Sequence, residues 1–414
     1  PDGPLFDALA LMIQHQVHRL VVTGGEAPAG NGTKIGAGTG AGTGTGAGAG
    51  APVIGVLEQL DLLSFLSNHS YLITVQIAQA DDLAALREPA RRITQFVSVL
   101  HRGGVRVAQI GRLVQAINAK LFERAWQLIA PPELVAASCL FVMGSEGRGE
   151  QLLKTDQDNG LVVADDAPVA DDVVADACER FSRALGEFGY PPCPGGIMVR
   201  NPAWRLRRAA FIQVVRRWLL TPDAEGLMAL AIFLDAHPVA GDPALLAEVR
   251  ASVDALVRED DALLGRMAAA IDMFPSETGG WWHRLLAIGD SHRQAERHAL
   301  DPKKAGIFPI VHGVRCLALR EHIAATATVE RIDALVAAGR LPREMAVELT
   351  GSLHFLMELR LKAGLAELDV ERPVSGDVAT DRLSSLERDL LKDALAAVKR
   401  FKTLVRHQFH LSEA

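Results

Sequence analysis

The sequence predicts an α+β protein in which helices predominate. Apolar side chains recur at intervals of three and four over residues 71–128 and over most of the chain after Asp242, as is typical of amphipathic helices. Between Ser138 and Val163 the pattern changes to two apolar strands separated by a glycine-rich turn and a short helix. The chain has 414 residues, of which 49% are hydrophobic. It is therefore long enough for about two to four domains with real cores, which excludes a globally disordered protein.

The N-terminal segment combines a helix, short strands and a stretch of low complexity. Residues 5–17 carry apolar side chains at helical spacing, and His18–Val22 is typical of a buried strand. The stretch Gly24–Gly50 consists mostly of Gly, Ala and Thr and holds 12 of the 37 glycines. Such a composition cannot bury a core, so we expect this stretch to be flexible and dispensable for catalysis. A strand and a helix follow in Pro52–Ser70.

The remaining elements are mostly helical. Asp171–Phe188 predicts a helix, and a turn rich in Pro and Gly follows at Gly189–Gly196. Asn201–Leu220 predicts an arginine-rich helix, and Ala224–Leu234 predicts another. We expect a helical bundle from there to the C-terminus.

Charge and cysteine content exclude several classes of protein. The net charge of -7 argues against a dedicated nucleic-acid coat, although it permits a local basic groove. No apolar run reaches the roughly 18 residues that a membrane span requires, so we expect no membrane association. The chain begins at Pro1 without a signal segment, and we expect it to be a cytoplasmic fragment of a longer protein. None of its cysteines lies in a CxxC pair, which favours reduced thiols over zinc ligands or disulfides: Cys139, Cys178, Cys193 and Cys316.

The segment most indicative of chemistry is CLFVMGSEGRGEQLLKTDQDNGLVV, Cys139 to Val163. An apolar strand leads directly into Gly144 and Ser145 at the start of a short helix. Glycine lets a ligand approach the backbone closely, and a helix N-terminus with a serine hydroxyl suits a phosphate. Asp156 and Asp158 follow about ten residues later, and residues at i and i+2 of an extended chain face the same side.

Two adjacent carboxylates repel each other unless a cation lies between them. Mg²⁺ is the usual cation where phosphates supply the other ligands. A Gly-Ser turn alone is an ordinary turn, and an Asp-x-Asp alone is usually a solvated loop. Their combination, with a strand on either side, favours metal-assisted phosphoryl or nucleotidyl transfer.

The turn followed by Asp-x-Asp resembles the nucleotidyltransferase superfamily of DNA polymerase β. The longer string GSEGRGEQLLKTDQDNG resembles a narrower group, the DUF294 family of nucleotidyltransferases, which is related to the uridylyltransferase domain that modifies the PII signalling protein. Three further strings support this resemblance, namely GYPPCPGGIMVRNPAW (189–204), IFLDAH (232–237) and KKAGIFPIVHGVRCLAL (303–319). The last of them resembles the helical substrate-binding domain that accompanies the family.

The resemblance implies roles for the acidic residues and the turn. Gly144 and Ser145 would hold the β- and γ-phosphates of a nucleoside triphosphate. Asp156 and Asp158 would bind two Mg²⁺ ions. The superfamily uses a third carboxylate as a further catalytic metal ligand, for which Asp235 is the first choice.

Other residues have more than one interpretation. Asp242 is the second choice for the third carboxylate, whereas Asp235 would otherwise simply end a helix. Arg148 and Lys154 are expected to neutralise the triphosphate or to be ordinary solvated charges, and Thr155 is expected to contact the nucleotide. Lys303, with its neighbour, is expected to reach the active-site cleft from the helical domain.

The segment from Phe188 to Pro222 contains no Asp or Glu but carries several arginines. The positive electrostatic field of such a segment could steer a triphosphate or an acidic acceptor toward the site. Equally, these arginines could pair with acidic residues elsewhere in the chain. The six are Arg200, Arg205, Arg207, Arg208, Arg216 and Arg217.

The N-terminal strings ALALMIQHQVHRLVV and VIGVLEQLDLLSFLS resemble the second motif of a CBS pair, a module that binds AMP or ATP. Only one CBS motif is present, and the glycine-rich stretch interrupts it. The resemblance divides the chain into a partial CBS domain (1–70, with the insertion at 24–51), a helical connector (71–130), a nucleotidyltransferase domain (131–243) and a helical substrate-binding domain (244–414).

These inferences predict a cytoplasmic, Mg²⁺-dependent nucleotidyltransferase regulated through its CBS motif. It would move a nucleoside monophosphate from a triphosphate to a hydroxyl of a regulatory protein, and it would form a homodimer through the CBS or helical domain. One alternative is a non-catalytic, nucleotide-binding signalling scaffold. A second alternative is an RNA-directed nucleotidyltransferase that uses the arginine-rich stretch as a phosphate track, which the net charge makes less favourable.

Overall fold

The structure is a computed structural model, and it describes residues 19–23, 53–58, 70–221, 223–259, 261–272 and 299–411. Its strands are β1 (Arg19–Thr23), β2 (Val53–Glu58), β3 (Ser138–Val142), β4 (Asn159–Val163), β5 (Arg205–Arg207), β6 (His237–Gly241), β7 (Ala299–Leu300) and β8 (Val378–Ala379). Its first helices are α1 (Leu83–Arg102), α2 (Val107–Ile129), α3 (Pro132–Ala136), the single turn α4 (Gly144–Gly147), α5 (Asp171–Glu187), α6 (Arg208–Leu220) and α7 (Ala224–Phe233). The helices after β6 are α8 (Pro243–Glu259), α9 (Asp261–Ala269), α10 (Phe308–Arg320), α11 (Thr328–Ala337), α12 (Arg343–Asp369) and α13 (Ser385–Gln408).

A four-stranded sheet with the order β5-β4-β3-β6 lies in the middle of the chain. β3 pairs antiparallel with β4 and β6, and β4 pairs parallel with β5. Every residue of β3 and β4 is buried, as expected for strands that are covered on both faces. Helices α2, α6 and α8 supply contacts to β6, β4 and β3 respectively. The sheet therefore fixes the backbone on both sides of the Gly144 turn.

The C-terminal helices form the predicted bundle, whose central helix is α10. Eleven consecutive residues of α10, from Pro309 to Leu319, are buried. α10 contacts α11 and α13, and α12 packs along α13. A capping box of Ser384 and Glu387 begins α13 and satisfies backbone N–H groups there. A π-helical turn, Lys303–Ile307, leads into α10, and such turns often occur at functional sites.

The predicted class, mostly helical with a small α+β component, is confirmed. The prediction of one helix over Asn201–Leu220 is wrong at its start, because a 3-10 turn (Pro202–Trp204) and β5 precede α6. Long-range pairing of β5 with β4 overrides the local helical pattern there. The helix predicted at Ala224–Leu234 corresponds to α7.

At the N-terminus, the predicted strands correspond to β1 and β2, which pair antiparallel with Arg19 opposite Glu58. They flank the glycine-rich stretch, which lies outside the described residues together with the helices predicted on either side of the strands. Whether these strands belong to a CBS module stays a prediction. No helix within the described ranges is both long and apolar enough to span a bilayer.

Candidate functional site

The turn after β3 brings Gly144 against Asp158. The backbone N–H of Met143 donates to the carbonyl of Asp158 at 2.8 Å and ties the two segments together. Gly144 has a φ of +59°, and a Cβ built on it would lie 2.8 Å from Asp158 Oδ2. Only glycine accommodates both the left-handed backbone and the close carboxylate. The structure thus brings together the two motifs that the sequence predicts to cooperate.

Asp156 and Asp158 face the same side because the residue between them is anchored in the core. Gln157 is 3% exposed, and its amide nitrogen donates to the carbonyls of Ser182 and Tyr190 at 2.9 Å each. The two flanking carboxylates therefore turn away from the core, and both are partly exposed.

Electrostatics within this pair favour a bound cation. Burial, together with the nearby charge of Asp156, raises the pKa of Asp158 to about 6, although Lys303 partly opposes that shift. Two carboxylates in one partly buried site repel each other, and a cation between them removes the repulsion. The oxygen ligands of the pair and the adjacent Ser145 hydroxyl suit Mg²⁺. Among the described residues, no group of three or more His, Cys, Asp or Glu side chains could hold a metal ion. Water and substrate phosphates would therefore have to complete the coordination.

A narrow cleft, which we call the first cleft, opens at Thr155, the residue before Asp156, while the two aspartates themselves line a small adjoining pocket. The first cleft is lined on one side by Ser145 and Thr155 and on the other by Lys303, Met357, Arg360 and Leu361. The structure therefore places the predicted residues Ser145 and Thr155 in a cleft that the helical bundle closes.

Two cationic side chains of the helical bundle, Lys303 and Arg360, line the first cleft. Lys303 lies on the π-helical turn, where its charge interacts with those of Asp156 and Asp158, as the sequence predicts. The surrounding protein and Arg360 lower the pKa of Lys303. Lys304 instead pairs with Asp301 at 3.1 Å.

Sequence reasoning missed Arg360, which lies within α12 between the buried residues Leu359 and Leu361. Within the described parts of the chain, no carboxylate pairs with its guanidinium group. Nothing in the local sequence distinguishes Arg360 from paired arginines, since only the tertiary fold places it in the first cleft.

The predicted phosphate ligands Arg148 and Lys154 have other partners. Arg148 lines the first cleft, but its Nε lies 2.6 Å from Glu150 and its Nη1 lies 2.6 Å from Asp235. Lys154 donates to the carbonyls of Ala90 and Phe188 at 2.7 Å each. Lys154 thus fastens α1 to the loop after α5, and the structure gives no support to its predicted role at the triphosphate.

The structure does not place Asp235 with the aspartate pair. Asp235 precedes β6, is fully buried and accepts hydrogen bonds from Arg148, Arg315 and Arg331. Burial alone would raise its pKa, but these arginines outweigh burial and hold the pKa below its usual value. We call this group the Asp235 cluster. Its carboxylate is fully committed to guanidinium groups, so the structure corrects the prediction that Asp235 is the third metal ligand.

Asp242 is no better placed as a metal ligand. Its side chain accepts from the N–H of Ala244 at 2.9 Å, and its own N–H donates to the carbonyl of Ser138. Ser138 begins β3, whereas Gly144 follows the end of that strand. Asp242 therefore lies at the opposite end of the sheet, where it caps α8.

Half of the six arginines of the arginine-rich stretch lie near carboxylates, and Arg200 does so at 3.9 Å from Glu179. Arg207 bonds Asp171, and Arg208 bonds both Asp165 and Glu248. The alternative that these arginines pair with acidic residues elsewhere is confirmed for Arg207 and Arg208. A continuous phosphate track for RNA loses support accordingly.

The four cysteines are free thiols, as predicted, and three of them are buried. Cys193 is partly buried, and its negative neighbours include Asp158. Burial raises the pKa of the Cys193 thiol to about 12, which argues against a nucleophilic role.

Comparison with known protein families agrees with this geometry. Residues 91–225 match the model described as "Putative nucleotidyltransferase DUF294", and residues 261–409 match the one described as "Putative nucleotidyltransferase substrate binding domain". No curated protein matches the chain. The first match contains the Gly144 turn and both aspartates, and the second contains Lys303 and Arg360. The two matches together span more than half of the sequence, and the chain therefore belongs to the DUF294 family of nucleotidyltransferases.

Proposed function

We propose that this chain is a Mg²⁺-dependent nucleotidyltransferase whose ion is held by Asp156 and Asp158. The observation that carries the proposal is the contact between Gly144 and Asp158, which sets a phosphate-binding turn directly against the aspartate pair. A phosphate held at the turn would share its cation with both carboxylates.

The chain's own residues divide the work between two sides of the first cleft. The backbone at Gly144 and the hydroxyl of Ser145 hold phosphate oxygens, and Thr155 lies beside them. Lys303 and Arg360 neutralise triphosphate charge from the helical side. When bound, Mg²⁺ would neutralise further charge and lower the pKa of the acceptor hydroxyl.

The reaction joins the acceptor oxygen to the α-phosphorus of the triphosphate. The bond from that phosphorus to the bridging oxygen breaks, pyrophosphate leaves, and the hydroxyl proton passes to solvent. We propose a hydroxyl of a regulatory protein as the acceptor. Residues 131–243 would perform the transfer, and residues 244–414, following the connector at 71–130, would present the acceptor.

Regulation and assembly complete the proposal. Residues 1–70 would act as a partial CBS domain that responds to AMP or ATP. Because one motif is incomplete alone, two chains would pair through this segment or through the helical domain in the cytoplasm. Nucleotide transfer that ignores AMP at every concentration would contradict the regulatory part while leaving the transferase part intact.

The experiment incubates the protein with Mg²⁺, each labelled nucleoside triphosphate and a cell lysate. We expect one nucleotide to label a protein acceptor, and we expect the double variant Asp156→Asn, Asp158→Asn to lower labelling about 100-fold or more. Asp166→Asn, an exposed carboxylate of the same domain, is the matched control and should label normally. Labelling by no nucleotide, or undiminished labelling by the double variant, would contradict the proposal.

A second candidate function is a non-catalytic scaffold that binds nucleotide. It is favoured by one observation, that Asp235 does not complete a three-carboxylate set with Asp156 and Asp158. The scaffold would bind a non-hydrolysable triphosphate with Mg²⁺ as tightly as the enzyme would, yet release no pyrophosphate from any hydrolysable one.

A further inference from the structure

A second cleft, of about 390 Å³, lies between the sheet domain and the helical bundle. It is lined by Leu246 and Arg250 of α8, by Arg315 and Leu319 of α10, and by Ile323 and Arg331 beyond α10. Its other lining side chains are apolar except for the carboxylate of Asp254. The cleft therefore combines apolar walls with three guanidinium groups and one carboxylate, and the proposed reaction does not use it.

Arg250 contributes a charge that is not closely paired. Its guanidinium group donates to the carbonyl of Ala236 at 3.2 Å and to the carbonyl of Ala324 at 3.0 Å. Within the described parts of the chain no carboxylate forms an ion pair with it, although Asp254 lies near enough to influence it. Two backbone carbonyls orient Arg250 across the domain junction without neutralising it.

Arg315 and Arg331 are similarly short of negative charge. Both bond the single carboxylate of Asp235, which Arg148 also bonds. Three guanidinium groups thus share one carboxylate there, and only Arg148 has a second one, Glu150. A buried positive excess of this kind is unfavourable until an anion approaches.

The neighbouring histidine adds no positive charge to this region. His312 is 2% exposed and bonds the carbonyl of Met267 at 2.8 Å. Burial, and after it the charge of Arg315, lowers the pKa of His312 to about 4. The imidazole is therefore neutral near pH 7, and the charge of the cleft comes from its arginines.

We propose that the second cleft binds a small organic oxyanion, whose charged group lies against Arg250, Arg315 and Arg331 and whose apolar body lies against Leu246, Leu319 and Ile323. Guanidinium groups at the wall of a largely apolar cleft attract an oxyanion, and the apolar walls favour a ligand that also carries an apolar body. This site is separate from the first cleft and does not depend on the proposed reaction.

The test uses phenyl phosphate as the probe and isothermal titration calorimetry on the full chain. Inorganic phosphate supplies the charge without the apolar body, and benzyl alcohol supplies the body without the charge. We expect phenyl phosphate to bind about tenfold more tightly than inorganic phosphate, and we expect no detectable heat from benzyl alcohol. Equal affinity for phenyl phosphate and inorganic phosphate would overturn the proposal.

Variants place the bound probe in one cleft or the other. Arg250→Gln should weaken phenyl phosphate binding about tenfold or more, whereas Arg216→Gln, an exposed arginine of α6, should not change it. Ala251→Phe fills the second cleft from an exposed helical position and leaves every arginine in place, so it keeps the test decisive if Arg250→Gln fails to fold. Lys303→Gln, in the first cleft, should retain binding. Loss in Lys303→Gln with full binding in Arg250→Gln and Ala251→Phe, or no binding to the unaltered chain, would overturn the proposal.

Discussion

The aspartate pair and the Asp235 cluster surround their carboxylates in opposite ways. Asp158 directly precedes β4, is partly exposed and has a second carboxylate, Asp156, as its nearest charged neighbour in sequence. Asp235 is fully buried and bonded by three arginines. The first arrangement sets two carboxylates together with Lys303 as an opposing charge, whereas the second sets three guanidinium groups around one carboxylate. A carboxylate's role is therefore decided by the charges that surround it rather than by its place in a sequence motif.

The largest expected effect is on the free energy of unfolding when Asp235 is removed. Asp235→Ala leaves Arg148, Arg315 and Arg331 without their shared counter-charge, and breaking a buried ion pair typically costs about 3–5 kcal/mol. Urea denaturation followed by circular dichroism measures it. Asp369→Ala, which removes an exposed pair with Arg102, should cost less than about 1 kcal/mol. An equal loss of unfolding free energy in Asp235→Ala and Asp369→Ala would show that the buried Asp235 cluster stabilises the chain no more than an exposed ion pair does.

A substitution at the turn tests the contact that carries the proposed site. Gly144→Ala should destabilise the chain by about 1–2 kcal/mol because of its positive φ, and its methyl group should also displace the Asp158 carboxylate. Gly104→Ala is the matched control, since Gly104 has a φ of +71° and nothing within 4 Å of the added Cβ. Both variants should lose stability, but only Gly144→Ala should lose affinity for a Mg²⁺-triphosphate. A similar loss of affinity in both variants would show that backbone strain alone accounts for it.

A smaller effect is expected when the helical side of the first cleft loses a cation. Lys303→Gln should weaken binding of a non-hydrolysable triphosphate about tenfold, because a charge-assisted contact to phosphate is lost. Lys304→Gln removes the neighbouring lysine, which pairs with Asp301, and should leave the affinity unchanged. Calorimetry on both variants decides whether Lys303 contributes, and equal affinities would exclude it from the phosphate site.

The smallest effect concerns pH. The pKa of Asp158 is raised to about 6 in the folded chain, above the usual range of an aspartate, so the folded state holds this proton more tightly than the unfolded state does. Ionisation of Asp158 therefore lowers the stability as the pH rises from about 4 to about 6. Asp158→Asn should remove this part of the pH dependence and be slightly more stable than the unaltered chain at pH 7. Urea midpoints of both proteins, measured across this range with and without Mg²⁺, test this expectation. Mg²⁺ should remove the difference in midpoint between Asp158→Asn and the unaltered chain at pH 7. A difference in midpoint that Mg²⁺ leaves unchanged would contradict a cation site at the pair.

Local patterns predicted much of the fold and the centre of the site. The apolar strands, Gly144 and the alternation of Asp156 with Asp158 are properties of a single short segment, so their arrangement follows from strand periodicity and turn chemistry. The helical bundle follows equally from apolar spacing.

The partners of Asp235 could not be predicted in this way. Arg315 and Arg331 lie 80 and 96 positions further along the chain, and only tertiary packing brings them to the carboxylate. The same holds for Arg360 in the first cleft and for β5, whose pairing with β4 overrides a helical pattern. Long-range contacts thus decided each of the features that the sequence left open or predicted wrongly.

We propose that the aspartate pair, and not Asp235, holds a divalent cation together with the nucleotide. Mn²⁺ in place of Mg²⁺ reports this directly through its effect on the relaxation of solvent water, measured with a non-hydrolysable triphosphate. We expect the unaltered chain and Asp166→Asn to bind the Mn²⁺ complex, and we expect the double variant Asp156→Asn, Asp158→Asn to lose this binding. Full Mn²⁺ binding by the double variant would show that the cation lies elsewhere.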